Sequence, residues 1–231
     1  MNICVIPARG GSKRIPRKNI KIFCGKPIIL WSIEEAIKSK CFEKIIVSTD
    51  DEEIANLAKN NGAEVPFVRP KELSDDYTET IPVIAHAIRH QAEYFQTPFN
   101  VCCIYAAAPF IRAVDLQLGF KKLENSGAEF IFPATSYAYP IQRSFRITGN
   151  ERVEMLHTNY SNSRSQDLNE TYHDAGQFYW GKVNAWLENN SIINKNASPI
   201  LLPRYRVQDI DTLEDWHRAE IMFEIINKNK I

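Results

Sequence analysis

Arg9, Lys13, Arg14, Arg17, Lys18, Lys21 and Lys26 crowd into one short stretch, and the first acidic residue of the chain is Glu34. The whole chain carries 28 basic and 28 acidic side chains, so the cluster is a local concentration of charge in a neutral protein. It follows directly on a β-branched apolar run, Ile3 to Ile6, and contains Gly10 and Gly11. Glycines there are expected to supply positive φ and to let the backbone approach a ligand closely. Successive N–H groups in such a turn form an anion-binding concavity, to which Arg and Lys add full charges. The chemistry this suits is the binding of a polyphosphate. The spacing is neither G-x-x-x-x-G-K-[ST] nor G-x-G-x-x-G. On charge alone a solvated surface loop accounts for it as well. Its position after a first strand favours a ligand, because ligands in open α/β sheets lie beyond the carboxyl ends of the strands.

Asp209-Ile210-Asp211 is the second constellation. In an extended segment, residues two apart project from one face, so both carboxylates can reach one cation. Mg2+ takes an octahedral oxygen shell from few protein ligands, with substrate phosphates completing it. The competing reading makes Asp211 the cap of the last helix and leaves Asp209 exposed. His86 and His90 share a helical face at i, i+4 spacing, but the glutamate of a zinc-protease motif is absent between them. Neither G-x-S-x-G nor a Cys/His pairing stands out, so covalent catalysis has no support.

These residues must be positioned by an α/β scaffold. Strands are expected to Ile6, over Lys44–Thr49, Glu64–Val68, Val101–Tyr105 and Phe130–Thr135. Helices are expected from Pro27 to Ser39 (with Ile29, Ile33 and Ile37 on one face), from Asp51 to Asn61, over Thr80–Tyr94 and over Asp115–Asn125. Ser48-Thr49-Asp50 reads as a strand end and helix cap. The alternation argues for a mostly parallel central sheet with helices on both faces, a Rossmann-like α/β fold. Residues 137–174 interrupt it with a hairpin-containing insert around Gly149-Asn150 and a polar loop over Asn159–Glu170. Strands return at Phe178–Trp180 and Ile200–Leu202. A last helix carries Leu213, Trp216, Ala219, Phe223 and Ile226 as its core stripe.

At 231 residues the chain fits one domain with a small appendage. Neutral charge argues against nucleic-acid or membrane-surface partners. With no apolar run of membrane-spanning length, a cytoplasmic location is expected. Cys4, Cys24, Cys41, Cys102 and Cys103 are odd in number and form no C-x-x-C, so they read as reduced residues, Cys4, Cys102 and Cys103 in buried strands.

Ala8-Arg9-Gly10-Gly11-Ser12-Lys13, followed by Pro16-Arg17-Lys18-Asn19 and Gly25-Lys26-Pro27, resembles the opening of the acylneuraminate cytidylyltransferases, or CMP-sialic acid synthetases. Arg69-Pro70, Glu72-Leu73 and the late D-x-D extend the resemblance from Ile3 to about Trp216. It implies that CTP lies against Ala8, Gly10, Gly11 and Ser12, that Asn19, Arg69 and the Thr80 region contact the cytidine, and that Asp209 and Asp211 hold Mg2+. A sugar hydroxyl would attack the α-phosphate, with Arg9, Lys13 and Lys18 neutralising the departing pyrophosphate and Asp211 serving the reaction through the metal. The insert is the family's dimer contact, so a homodimer is expected.

After the fourth expected strand, neuraminic acid enzymes read L-Q-P-T-S-P-L-R, whereas this chain has Tyr105-Ala106-Ala107-Ala108-Pro109. Fewer polar donors suit a less hydroxylated sugar. Ser163 to Leu168 and Asp174 to Trp180 resemble the pseudaminic acid branch of the family, whose substrate is a dideoxy, diacylamino nine-carbon acid. Candidate sugar-binding residues are Tyr105, Gln142, Arg143, Arg164, His173, Gln177 and Tyr179. Arg143, Arg164 and His173 are alternatives for the sugar carboxylate, each with a structural role in the insert as its competitor. Legionaminic, neuraminic or octulosonic acids remain alternative substrates, and a non-catalytic nucleotide sensor remains an alternative class.

Overall fold

The structure, a computed structural model, describes residues 1–91, 99–188 and 191–229. Chain order runs β1 (Asn2–Pro7), β2 (Ile22–Phe23), β3 (Lys26–Pro27), α1 (Ile28–Ser39), β4 (Lys44–Ser48), α2 (Glu52–Asn60), α3 (Thr80–Gln91), β5 (Asn100–Ile104), α4 (Ala113–Ser126) and β6 (Phe130–Ser136). It continues through β7 (Phe145–Ile147), β8 (Val153–Met155), β9 (Tyr172–Asp174), β10 (Phe178–Lys182), α5 (Val183–Leu187), β11 (Ala197–Leu201) and α6 (Leu213–Asn229).

The central sheet has the order β11-β6-β10-β5-β1-β4, with β9 also on β6. β1 pairs in parallel with β4 and β5, and β6 with β11. Both faces of β1 are buried, as a run without polar alternation requires. Cys4 and Ile6 pack toward α1, α2 and α4, while Ile3 and Val5 pack toward α3 and α5. A third cluster joins Ile15, Phe23 and Ile28 of the basic region to Trp216, Ala219 and Phe223 of α6. The last helix therefore clamps the basic loop from behind. Leu213 and Ile37, expected on core stripes, are largely exposed.

One expected strand does not form. Glu64–Val68 is no strand of the sheet: only Glu64 forms a bridge, to Ile46. Pro66 has no N–H to donate, and a prolyl residue is poorly placed in a continuing ladder. β10 runs antiparallel between β5 and β6, because the chain re-enters the sheet from the insert at its carboxyl edge. It packs under α4 at Gly119, where a Cβ would lie 2.8 Å from Trp180 Cδ1. The helix over Thr80 is described to Gln91, and Ala92 to Tyr94 lie outside the described residues.

The expected hairpin is present as β7–β8. The polar loop after it holds short 3-10 turns at Thr158–Tyr160 and Ser165–Asp167. The five cysteines are unpaired. Among the described residues no helix is long and apolar enough to cross a membrane.

Candidate active site

The basic loop leaves the carboxyl end of β1 and turns over the ends of β4 and β5. Ala8 continues the strand by donating its N–H to Ser48 O at 2.9 Å. Gly10 donates its N–H to Asp50 Oδ1 at 3.0 Å. Neither Gly10 nor Gly11 takes positive φ, contrary to expectation; Arg17, Cys24 and Gly25 do. Gly10 is required by proximity instead, since a Cβ there would sit 2.6 Å from Asp51 Oδ2. Asp51, not Asp50, caps α2, accepting from Ile54 N at 3.0 Å. Asp50 is thereby free to hold the loop. The buried Asn19 fixes its other end by donating to Arg9 O at 2.9 Å.

The loop's cations face carboxylates. Arg9 meets Asp76 at 2.8 Å and also bonds Asp75 O, and Lys13 pairs with Asp76. Hydrogen bonding to Lys13 holds the Asp76 carboxyl below its usual range. Arg17 grips Asp51 and Glu53. Ser12 lies between these contacts on the same loop.

Arg69 is held in place by its backbone N–H, which donates to Thr49 O at 2.8 Å. Its side chain is 4% exposed, and its Nε and Nη2 have no hydrogen-bond acceptor among the described residues. Asp50 Oδ1 lies 3.8 Å away, an ion pair without a hydrogen bond. Desolvation, reinforced by Arg9, pulls the Arg69 pKa down against the pull of Asp50. A buried guanidinium with orphaned donors costs free energy unless something accepts from it. It lines a cavity of about 210 Å³ with Arg9, Lys18, Asn19, Thr80 and Asp209.

Lys18 joins this cavity to the D-x-D segment. Its Nζ donates to Ile210 O at 2.7 Å and lies 3.6 Å from Asp211 Oδ1, which also meets Arg14 at 2.8 Å. Burial lowers the Lys18 pKa, with Asp211 and Asp209 opposing. Asp209 is raised, by desolvation first and then by the like charge of Asp211. The segment is a loop rather than the expected extended strand. Asp211 is not the helix cap: Thr212 Oγ1 accepts from Asp215 N at 3.2 Å, and Asp215 Oδ2 accepts from Thr212 N at 2.8 Å. This reciprocal capping arrangement releases Asp211 for other work.

On the far side of Thr80 and Tyr105, a second cavity of about 380 Å³ opens between Tyr105, Asp174, Tyr179 and Ile192. Thr80 Oγ1 and Tyr105 Oη are 3.1 Å apart, and the Tyr105 and Tyr179 rings lie 5.2 Å apart. Burial raises the pKa of both phenols. Of the other residues expected on the sugar, Gln177 is buried in the sheet and donates to Arg206 O at 2.7 Å. Gln142 donates to Asn169 O at 3.2 Å, Arg143 to Ser165 Oγ at 3.2 Å and Arg164 to Asp167 at 2.9 Å. His173 packs on Tyr137 with ring centroids 4.8 Å apart. These insert residues line neither cavity. Asp50, Arg14 and Asp174 belong to stretches named from sequence, where none was given a site role of its own. Membership of those stretches was their only signal: Asp50 and Arg14 act through Gly10 and Asp211, distant along the chain, and Asp174 through the kink at Gly176.

A family profile described as cytidylyltransferase matches residues 3–229. The chain belongs to the cytidylyltransferase family. It is thus an enzyme of CTP-dependent nucleotidyl transfer. A pseudaminic acid cytidylyltransferase of Campylobacter jejuni is 46% identical over 224 residues, covering 97% of each chain. A CMP-N,N'-diacetyllegionaminic acid synthase of Legionella pneumophila is 29% identical over 229 residues, covering 96% of each. Among solved structures, a CMP:2-keto-3-deoxy-manno-octonic acid synthetase complexed with CTP aligns with a TM-score of 0.70 at 14% identity, covering 96% of this chain and 98% of that one. That likeness carries the fold of this cytidylyltransferase, a mixed α/β sheet flanked by helices.

Proposed function

We propose that this cytidylyltransferase transfers CMP from CTP to pseudaminic acid, releasing pyrophosphate. The observation that carries the reading is the junction at Lys18, where the basic loop and the Asp209/Asp211 carboxylates meet at the cavity that Arg69 lines. The 46% identical Campylobacter jejuni relative supports the choice of sugar. The nucleotide base and ribose occupy the side of Arg69, Asn19 and Thr80, where the orphaned guanidinium finds its acceptors. The β- and γ-phosphates lie over Gly10 to Lys13. There Arg9 and Lys13 exchange Asp76 for the phosphates, and with Lys18 they neutralise the charge that builds on pyrophosphate. The sugar enters from the Tyr105 and Tyr179 side, and the cleft orients its hydroxyl toward the α-phosphate.

Asp209 and Asp211 fit a hard divalent cation. They are two carboxylates close enough for one to raise the other's pKa, beside space for phosphate oxygens and water. Mg2+ bound there would polarise the α-phosphate and lower the pKa of the attacking hydroxyl. We place the reaction in the cytoplasm of a homodimeric enzyme, one domain per chain, with the insert over 137–174 as the dimer contact and Arg143, Arg164 and His173 available to a sugar carboxylate across it. A direct test is pyrophosphate release from CTP with Mg2+ and pseudaminic, legionaminic, neuraminic or octulosonic acid. Turnover led by pseudaminic acid is expected. Preference for another acid overturns the substrate, and binding of CTP without turnover on any acid overturns the reaction.

A further inference from the structure

The strand that follows the insert is broken at the carboxyl edge of the sheet. β9 pairs with the end of β6, Asp174 opposite Ala134, and β10 pairs with its start. Between them Pro133 has no N–H to offer, and the chain kinks at Gly176, which takes φ +62. The kink leaves Asp174 at the mouth of the second cavity, with Gly176 beside Asp209.

Asp174 is held from two sides. Its Oδ1 accepts from Gly176 N at 2.8 Å, and its Oδ2 accepts from Tyr179 Oη at 2.5 Å. A carboxylate has about four acceptor sites, so two such bonds fix its orientation and leave capacity for a ligand. The cavity it lines has carboxylates from Glu79 and Asp174 and apolar surface from Ile81, Ile192 and Ile193, with no Lys, Arg or His among the described residues of its wall. Such a wall repels an anionic group. It suits a group that donates an N–H and ends in a methyl, which is the chemistry of an acylamino substituent. The cations Arg9, Lys18 and Arg69 lie on the other side of Thr80 and Tyr105, together with Asp209, and Glu79 borders both halves, so positive charge is confined to one half of the cleft.

We propose that Asp174 is a specificity-determining residue, its carboxylate accepting the N–H of an acylamino group whose methyl packs on Ile81, Ile192 and Ile193. This rests on the diacylamino sugar assigned above. Tyr179 holds the acceptor in place, and the Tyr105 hydroxyl is engaged with Thr80. A sugar lacking acylamino groups leaves the isoleucines uncovered and gives Asp174 no amide to bind.

The test is steady-state pyrophosphate release by the full chain with Mg2+, comparing wild type with Asp174→Asn and Asp174→Ala. Each variant is titrated separately in pseudaminic acid and in CTP, and 3-deoxy-octulosonic acid is titrated as substrate or competitive inhibitor. For both variants KM for pseudaminic acid should rise about 10- to 100-fold, as loss of a bond to a charged group implies. KM for CTP and the apparent affinity for octulosonic acid should stay within about two-fold, a margin well below that loss. Equal losses on both acids and CTP would mean that Asp174 only supports the Gly176 kink, and an unchanged KM would mean that it touches no substrate. Either result overturns the inference while leaving the substrate assignment standing. Failure of the wild type to use any acylamino acid overturns both.

Discussion

Arg69 separates two roles that a charged residue can have. Its guanidinium is buried, depressed in pKa and short of acceptors, so in the free protein it contributes strain rather than stability. Arg69→Met should therefore leave the melting temperature unchanged or raise it, because its anchoring N–H to Thr49 is kept. The same variant should raise KM for CTP about 10- to 100-fold, the cost of losing a charge-assisted bond. Thermal melting and CTP titration of the one variant check both signs; a lower melting temperature with unaltered CTP binding would make Arg69 structural. The sequence put Arg69 after an expected strand over Glu64–Val68 that does not form, and could not distinguish a surface arginine from a buried one. That distinction depends on Thr49 and Asp50, distant along the chain.

Capping and strand breaks position the chemistry at the level of elements. Thr212 and Asp215 close the start of α6, so Thr212→Ala should cost about 1 kcal/mol of stability, read from a denaturation midpoint. A loss of activity far beyond that cost would show that the cap also orients Asp211. On the opposite face, His86 and His90 of α3 enclose Phe67, with ring centroids 4.8 Å and 4.7 Å from it. Burial depresses the His86 pKa below the usual 6.5, and His90, Arg69 and Arg89 add to this against Glu72. The unfolded chain then binds the proton more readily than the folded one. The resulting stability is fully present above pH 6.5 and is lost as pH falls through the depressed folded value. Melting temperature should fall on acidification below pH 6.5 more steeply in wild type than in His86→Gln; parallel curves would remove His86 from the effect.

At the scale of the whole molecule, the insert presents apolar side chains with little to cover them. Phe145 is 57% exposed, Ile147 73% and Val153 70%, all on a two-stranded ribbon that is marginal alone. Gln142, Arg143 and Arg164 pair within this insert rather than with either cavity, which fits a surface completed by a second chain. Ile147→Asp should shift the protein toward monomer in sedimentation at micromolar concentration and reduce turnover at low enzyme concentration. A wild type that is already monomeric would sink the dimer assignment.

Charge clustering and strand–helix alternation are local properties, so they were readable in order along the chain. Arg9 to Lys26, the D-x-D at Asp209 and Asp211, the apolar strand ending at Ile6 and the β7–β8 hairpin could all be named from residue types and spacing. Other features arise from contacts between distant segments and follow no period. Glu64–Val68 fails as a strand because Pro66 interrupts the ladder beside β4. β10 is antiparallel because the chain returns from the insert. Gly10 is small because Asp51 comes near, not because of its own φ. Asp211 is free because Thr212 and Asp215 cap each other. Asp174 reaches a cavity because Pro133 and Gly176 break one strand into two. Residue types and their spacing specify which chemistry is possible, whereas packing across the sheet edge settles which side chains can reach it.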